Sequence, residues 1–309
     1  MLRLQQRFAG AACILCQATR CKPIAMTTIT SRDNQWLKAF RAALRGKGPD
    51  PAKKEPIGVE GPKLVEEAMR SGLEAEALLV SESGERDAKP VLKAAGESEA
   101  GIAQSHILRT TDKLFESVSG TEAPQGVAAL FRQPEWNLDD VLHGTGAARG
   151  NTPLVIVLAA IQDPGNVGTI LRSAEAFGAT GAIATRGTAD PWSPKAVRAS
   201  AGSTLRLPVL RGMAIPVLLA QLKIAGMKIY AASSSRNGHG AVTADWREPA
   251  AIFVGNEGAG LSPEIERVAD AVISIPTRDT VESLNAGVAA SIVLYEAARQ
   301  RRQAAEGED

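Results

Sequence analysis

Residues 154–161 read LVIVLAAI, eight apolar residues without a polar break. A half-exposed strand would alternate, and a surface helix would show a polar face every few residues. An unbroken run of this length fits a strand buried on both faces, as in a central parallel sheet. It is far short of the ~20 residues that cross a bilayer, as is every other apolar run in the chain. QDPGN then turns the chain, and VGTILRSAEAFG (167–178) predicts a helix stopped by Gly178. The alternation continues: GAIAT (181–185) as strand, SPKAVRASAGST (193–204) as helix, LPVL as strand, AIPVLLAQLKIAGM as helix. KIYAAS, AIFVGNE and AVISIPT read as three more strands, and a last helix is predicted from Ser283 past Arg299. Strands alternating with helices predict an open parallel α/β sheet, which binds ligands at the carboxyl ends of its strands.

The 309 residues suffice for two domains. Residues 31–133 carry a smaller α/β pattern of their own. NQWLKAFRAALRGK is an amphipathic basic helix with Trp36, Leu37, Phe40 and Leu44 at helical spacing. Strands are expected at IGVEG, EALLVSES, 105–109 and VAALFR, with helices at PKLVEEAMRSG, 88–95 and TDKLFESVSG. Residues 134–152, whose second half is rich in glycine and small residues, read as a linker between this domain and one spanning 153–303; residues 304–309 read as a tail. Residues 1–30 are set aside as a tail. Their first 25 residues hold Arg3, Arg7, Arg20 and Lys22 and no acid, which fits an organelle-targeting peptide, a disordered tail or a leader ahead of a start at Met26; the last two are preferred. The three cysteines, Cys13, Cys16 and Cys21, all fall there. They fall short of the four ligands a structural zinc site takes, so no metal is expected.

Three loops that follow strands are unusual. In IQDPGNVGTILRSAEAFG, Gly165 and Gly168 permit close backbone approach and Asn166 stands at a helix start. A turn and cap explain those, but not Arg172 in an otherwise small, apolar helix. IFVGNEGAGLSPEI is a strand and a glycine-rich loop holding Glu257. It is neither G-x-G-x-x-G nor G-x-x-x-x-G-K-[ST], so the dinucleotide and triphosphate fingerprints are missing. ISIPTRDTVESLNAGVAASIVLYE opens an apolar helix with Glu282, Ser283 and Asn285, and Ser283 is the residue expected to cap it.

Together the three segments resemble the SpoU (TrmH-like) branch of the SPOUT RNA methyltransferases. DPGNVG with the later Arg and AFG is similar to that family's motif 1, GNEGAGLS to motif 2, and IP, SLN and the Ala-rich helix ending in Tyr-Glu to motif 3. The resemblance covers residues 152–303 closely. Residues 31–132 more loosely resemble the ribosomal-protein-L30e-like substrate-binding domain of many members, through VEGPKLVEEAMRSG and TEAPQGVAAL. It implies a C-terminal α/β domain tied in a trefoil knot, a topology otherwise nearly absent from proteins, behind a smaller L30e-like α/β domain.

The implied reaction is methyl transfer from S-adenosyl-L-methionine to a ribose 2′-hydroxyl of RNA. Held in register, the two reactants gain much of the rate from proximity. The resemblance gives catalytic roles to Asn166, Arg172, Glu257, Ser283 and Asn285. A guanidinium keeps its proton near neutral pH, so stabilising an emerging alkoxide and gripping the neighbouring phosphate suit Arg172 better than acting as base. Asn166 and Asn285 would orient ribose and donor, with Glu257 bracing Asn166 and Arg172. Gly255, Asn256, Gly258, Gly260, Leu261, Ile275, Pro276, Leu284, Asn285 and Ala290 are the implied donor-binding residues, with Ala286 and Ala290 leaving room for the adenine. Lys195 and Arg198, and the cluster of Arg41, Arg45, Lys53 and Lys54, are implied RNA contacts.

Net charge is +1, so an RNA surface must be local rather than global. Two rival classes remain. A silent RNA-binding protein on the same fold is weighed against by the intact set of site residues. A nicotinamide-dependent oxidoreductase is weighed against by the missing fingerprint. Homodimerisation through the last helix, a cytoplasmic location and no membrane are also implied. Among substrates, the resemblance favours ribosomal RNA of the 23S type over tRNA: members with an L30e-like leading domain often modify ribosomal RNA and the tRNA members usually carry basic extensions at both ends, whereas here the basic turn RQRR is followed by acids.

Overall fold

The computed structural model describes residues 26–50, 52–97, 106–233, 238–256 and 258–306. The readings of residues 1–25 as leader or targeting peptide, and of Glu257 as a brace, fall outside them.

The leading domain is a five-stranded mixed sheet. In chain order its strands are β1 (Met26–Ile29), β2 (Ile57–Glu60), β3 (Ala75–Ser81), β4 (His106–Thr110) and β5 (Val127–Phe131), arranged β1-β4-β3-β5-β2. Helices α1 (Gln35–Arg45), α2 (Pro62–Arg70), α3 (Ala88–Glu97) and the short α4 (Asp112–Glu116) cover it. Helix α1 forms as its spacing predicts: Asn34 caps it by accepting from the N–H of Trp36, and Leu37, Phe40 and Leu44 are buried. The sheet starts five residues before the expected boundary at 31, because β1 pairs in parallel with β4 at the sheet edge. Only Ile29 of its four residues is buried, so no alternation marks it in the sequence.

The expected linker is partly structured. Helix α5 (Leu138–His143) opens with a capping box between Asn137 and Asp140. Val141 and Leu142 join the core of the second domain, and Val141 packs against the backbone of Gly181.

The second domain is a seven-stranded sheet, parallel throughout: β6 (Leu154–Ala159), β7 (Gly181–Thr185), β8 (Val209–Met213), β9 (Lys228–Ala232), β10 (His239–Gly240), β11 (Ala250–Gly255) and β12 (Ala271–Ser274). The order is β10-β12-β9-β11-β6-β7-β8. β6 lies near the centre with every residue buried, as its unbroken apolar run requires. The chain builds outward from β6 through β7 to β8, then jumps to the far side. There β11 fills the place between β6 and β9. This reversal opens a crevice at the carboxyl ends of β9, β11 and β12.

The helices are α6 (Pro164–Ala176), α7 (Pro194–Ala199), α8 (Ile215–Ile224), α9 (Pro263–Val268) and α10 (Ala286–Glu306). Helix α6 starts earlier than the apolar spacing indicates, since Asp163 caps it and Pro164 takes its first turn. Helix α10 starts later than expected and runs past residue 303. Ser283 is not its cap: Asn285 accepts from the N–H groups of Gly287 and Val288, at 2.9 and 3.3 Å, and leaves Ser283 in the preceding loop.

The two domains are joined by an ion pair between Arg206 and Glu67 and by a hydrogen bond between Arg211 and Gln133. Arg206 grips both carboxylate oxygens of Glu175 on α6, at 2.5 and 2.8 Å, and reaches Glu67 of α2 at 3.2 Å. Partial burial alone would raise Glu175, but Arg206 and the Ser203 hydroxyl hold it below the usual carboxylate range. Arg211 of β8 pairs with Asp190 and with Gln133, whose amide donates to the carbonyl of Glu55.

Helices α6 and α7 touch at Gly168. A Cβ there would lie 2.4 Å from the Ala196 carbonyl oxygen and 2.6 Å from the Ala199 Cβ. Gly168→Val should therefore overpack this contact and cost about 1–3 kcal/mol, read as a lower urea midpoint with an unchanged m-value.

Candidate active site

A cavity of about 360 Å³ occupies the crevice beyond β9, β11 and β12. Its floor is largely backbone. Gly255 ends β11, and a Cβ there would lie 2.5 Å from the Gly260 carbonyl carbon and oxygen. The loop closes on itself: the N–H of Asn256 donates to the Gly260 carbonyl, and the N–H of Gly260 to that of Asn256. The Asn256 side chain accepts from the N–H groups of Gly258 and Ala259 and donates to the Ala160 carbonyl at the end of β6. Ala160 has a φ of 57°, a left-handed conformation that a residue with a Cβ rarely adopts. Such strain collects where a loop is held for function.

Of the expected donor-binding residues, Gly255, Asn256, Gly258, Gly260, Leu261, Ile275 and Leu284 line the cavity. Pro276 and Ala290 do not. Pro276 is exposed between Ile275 and Thr277, which do line it. Ala290 is buried in the core, and the cavity face of α10 is instead Ala286, Ala289 and Val293. These are spaced three and seven apart, so the neighbouring row of the helix had been chosen. Ala232 and Ser233 at the end of β9, with Glu266 and Glu282, were missed; the rule that ligands sit beyond strand ends could have found Ser233.

Asn285 turns away from the cavity between its lining neighbours Leu284 and Ala286. While capping α10 it donates 3.0 Å to the Asn166 carboxamide oxygen in the first turn of α6. The same two helices are pinned further along by the Ser173 and Ser291 hydroxyls, 2.6 Å apart, and by the edge-on rings of Phe177 and Tyr295. Motifs 1 and 3 therefore meet directly. Ser283 lines the cavity.

Arg172 stands apart. It lies on the exposed side of α6, does not line the cavity, and has no hydrogen bond or ion pair among the described residues.

Of the expected RNA contacts, Lys53 and Lys54 face Asp50 and Glu135 at 3.5 and 4.0 Å. Arg41 donates to the Ser117 carbonyl. Arg45, Lys195 and Arg198 come together in a groove between the domains. Lys195 also bonds the Asp163 carboxylate, at 2.6 Å, so the groove touches the start of α6.

The described residues contain no cluster of histidine, cysteine and acid side chains able to hold a metal ion, and no helix long and apolar enough to cross a membrane.

Comparison with known proteins fits this geometry. Residues 153–295 match the SpoU rRNA Methylase family, and residues 52–129 the MRM3-like substrate binding domain. Over 271 residues the chain is 33% identical to the 23S rRNA (guanosine(2553)-2′-O)-methyltransferase RlmP of Bacillus subtilis, covering 87% of this chain and 98% of that one. The chain belongs to the SpoU rRNA methylase family. Among solved structures it resembles the AdoMet-bound rRNA methyltransferase of Sinorhizobium meliloti, at a TM-score of 0.74 and 29% identity over 89% of this chain and 98% of that one. It also resembles the SpoU methyltransferase AviRb of Streptomyces viridochromogenes in complex with AdoMet, at 0.71 and 28% over 87% and 100%. S-adenosyl-L-methionine is the SpoU methyl donor, and this cavity fits it. The side-chain-free floor at Gly255 and Gly260 admits a ligand against the backbone, and the carboxylates of Glu266 and Glu282 border a site for a sulfonium cation.

The Asp163 carboxyl lies below the usual carboxylate range, held there first by the Lys195 ammonium and then by the N–H groups of Gly165 and Asn166, against a small opposing effect of burial. A depressed carboxyl stabilises the fold above its unfolded value of about 3.9. That contribution is lost as pH falls through the folded value. Asp163→Ala should cost about 1 kcal/mol at neutral pH, the usual scale of a lost cap. The difference in thermal midpoint from wild type should shrink below a pH of about 4.

Proposed function

We propose that this chain transfers the methyl group of S-adenosyl-L-methionine to a ribose 2′-hydroxyl of ribosomal RNA. The observation that carries this is the Asn166–Asn285 hydrogen bond, which sets the starts of α6 and α10 together beside the donor cavity. The donor supplies an electrophilic methyl group on a sulfonium. The protein's part is to hold ribose and donor in line and to receive the charge that develops as the hydroxyl loses its proton.

Asn166 and Asn285 orient the reacting groups indirectly, by fixing the two helix starts beside the cavity, and Ser283 sits on the cavity wall. Arg172, exposed and uncommitted to another side chain, grips the RNA phosphate beside the target and steadies the alkoxide. Glu257, from the loop of motif 2, braces Asn166 and Arg172. Arg41, Arg45, Lys53, Lys54, Lys195 and Arg198 belong to the RNA-facing surface. The identity to RlmP over most of both chains supports ribosomal RNA over tRNA, and a cytoplasmic site of action. A threaded, trefoil-knotted path through motifs 2 and 3 is part of the same reading.

The enzyme works as a homodimer through α10. Val288, Ile292 and Tyr295 are spaced four and three apart along α10 and are 47%, 39% and 49% exposed. Such a stripe on one helix face is costly to leave in water. Light scattering should give a dimer for the wild type and a monomer for the double variant Ile292→Asp with Tyr295→Asp; a wild-type monomer at working concentration removes the dimer.

Arg172→Ala should lower methyl transfer to ribosomal RNA by about 10²–10³-fold, the scale for loss of a group that stabilises developing charge. Donor binding by calorimetry should stay unchanged. Retained turnover would take Arg172 out of the chemistry. Mapping of 2′-O-methylation in ribosomal RNA from cells with and without the gene tests the reaction itself: the absence of any lost site in rRNA, with one lost in tRNA, would reassign the substrate.

A further inference from the structure

The groove between the domains has a volume of about 460 Å³ and is walled by residues 44–46 and 119–122 and by Pro194, Lys195 and Arg198. Three cations meet there, Arg45 from α1 and Lys195 and Arg198 from α7, against the single carboxylate of Glu122. Their charges are unevenly spent. Lys195 shares its charge with Asp163. Among the described residues Arg45 donates only to neutral carbonyls, those of Ser119 at 2.7 Å and Glu116 at 3.1 Å. These bonds fix its direction without cancelling its charge. Arg198 is half-buried and has no hydrogen bond or ion pair among the described residues. Its guanidinium lies against Gly120, where an added Cβ would stand 3.6 Å from one terminal nitrogen. A half-buried cation with no acceptor carries a desolvation cost that an anion in the groove would offset.

The opposite wall is built and rigid. The buried Glu60 carboxylate accepts from the Ser119 hydroxyl at 2.5 Å, the Thr121 hydroxyl at 2.7 Å and the Gly120 N–H at 2.9 Å. A Cβ at Gly120 would fall 2.3 Å from the Leu44 carbonyl oxygen, so this loop is seated on the end of α1. Lys195 reaches Asp163, the cap of α6, and Asn166 follows in that helix's first turn. The groove is thus joined covalently and by hydrogen bonds to the proposed ribose site.

We infer that this inter-domain groove binds a phosphodiester of the RNA strand at a distance from the target nucleotide, with Arg198 and Arg45 as its main ligands. The inference rests on the RNA methyltransferase reading above and extends it: both domains contribute to one phosphate site, so the leading domain acts on the same strand segment as the methylating domain. Glu60 is a positioning residue, acting through the loop it holds.

The test is the salt dependence of binding to a labelled single-stranded RNA oligonucleotide. The full-length wild type, Arg198→Ala, Arg198→Lys and Arg45→Gln with Arg198→Ala are compared. Each phosphate contact on a single strand adds about 0.7 to the slope of log K against log salt. Arg198→Ala should lower that slope by about 0.7, the double variant by about twice as much, and Arg198→Lys should restore it. For Arg198→Ala the thermal midpoint should not fall, and calorimetric donor binding should not move. Slopes equal to wild type in both alanine-containing variants would overturn the groove, even if RNA is still methylated, and would leave the proposed function standing. The expected slopes without any methyl transfer by the wild type would support the groove and sink the function instead. A slope lost with Arg198→Ala but not regained with Arg198→Lys, alongside a lowered midpoint, marks a structural residue and also overturns the inference.

Discussion

One carboxamide governs the geometry of the site. Asn285 accepts two N–H groups at the start of α10 and donates to Asn166 at the start of α6. Helix starts carry unpaired donors that need a partner. Here the partner is also the tether between two segments separated by 119 residues of chain. The rest of the site follows from that joint. Leu284 and Ala286, the neighbours of Asn285, are left facing the cavity, and α10 is laid along α6 closely enough for Ser173 to meet Ser291. Asn256 does comparable work at the end of β11, tying the glycine-rich loop to the strained Ala160 just beyond β6. Asparagine suits such places because one side chain both donates and accepts.

Much of this was legible beforehand. The apolar run at 154–161 announced a central parallel strand, and the three loop motifs identified which strand ends matter. What was misread is instructive. Ser283 was expected to cap because hydroxyls commonly do, yet Asn285 stands where its oxygen meets the second and third helical N–H groups. Ala290 was placed in the donor site on the strength of its size, but size does not tell which row of a helix faces a cavity; that depends on how α10 rolls against α6. Helix α5 hid in the first, glycine-free part of the expected linker, since only two of its residues reach the core. Strand β1 was missed for a related reason, with one buried residue in four.

The position of Arg172 could not be read from its motif. The sequence places it six residues after Asn166, and on an α-helix six residues amount to well over one and a half turns. The two side chains therefore leave α6 in different directions. Asn166 faces α10, whereas Arg172 faces open solvent. An arginine so placed is better suited to meeting an incoming polyanion than to touching a small molecule held in the crevice.

The contacts at the domain boundary carry a consequence for the substrate. Arg206 holds Glu175 and Glu67 at once, and Arg211 links β8 to Asp190 and Gln133. A swing of the leading domain would break the Arg206–Glu67 ion pair and the Arg211–Gln133 hydrogen bond. The more firmly the domains are held, the more of the accommodation falls to the polynucleotide, by unstacking or bending until its sugar reaches the crevice. Selection among candidate nucleotides would then depend in part on how readily each local segment deforms.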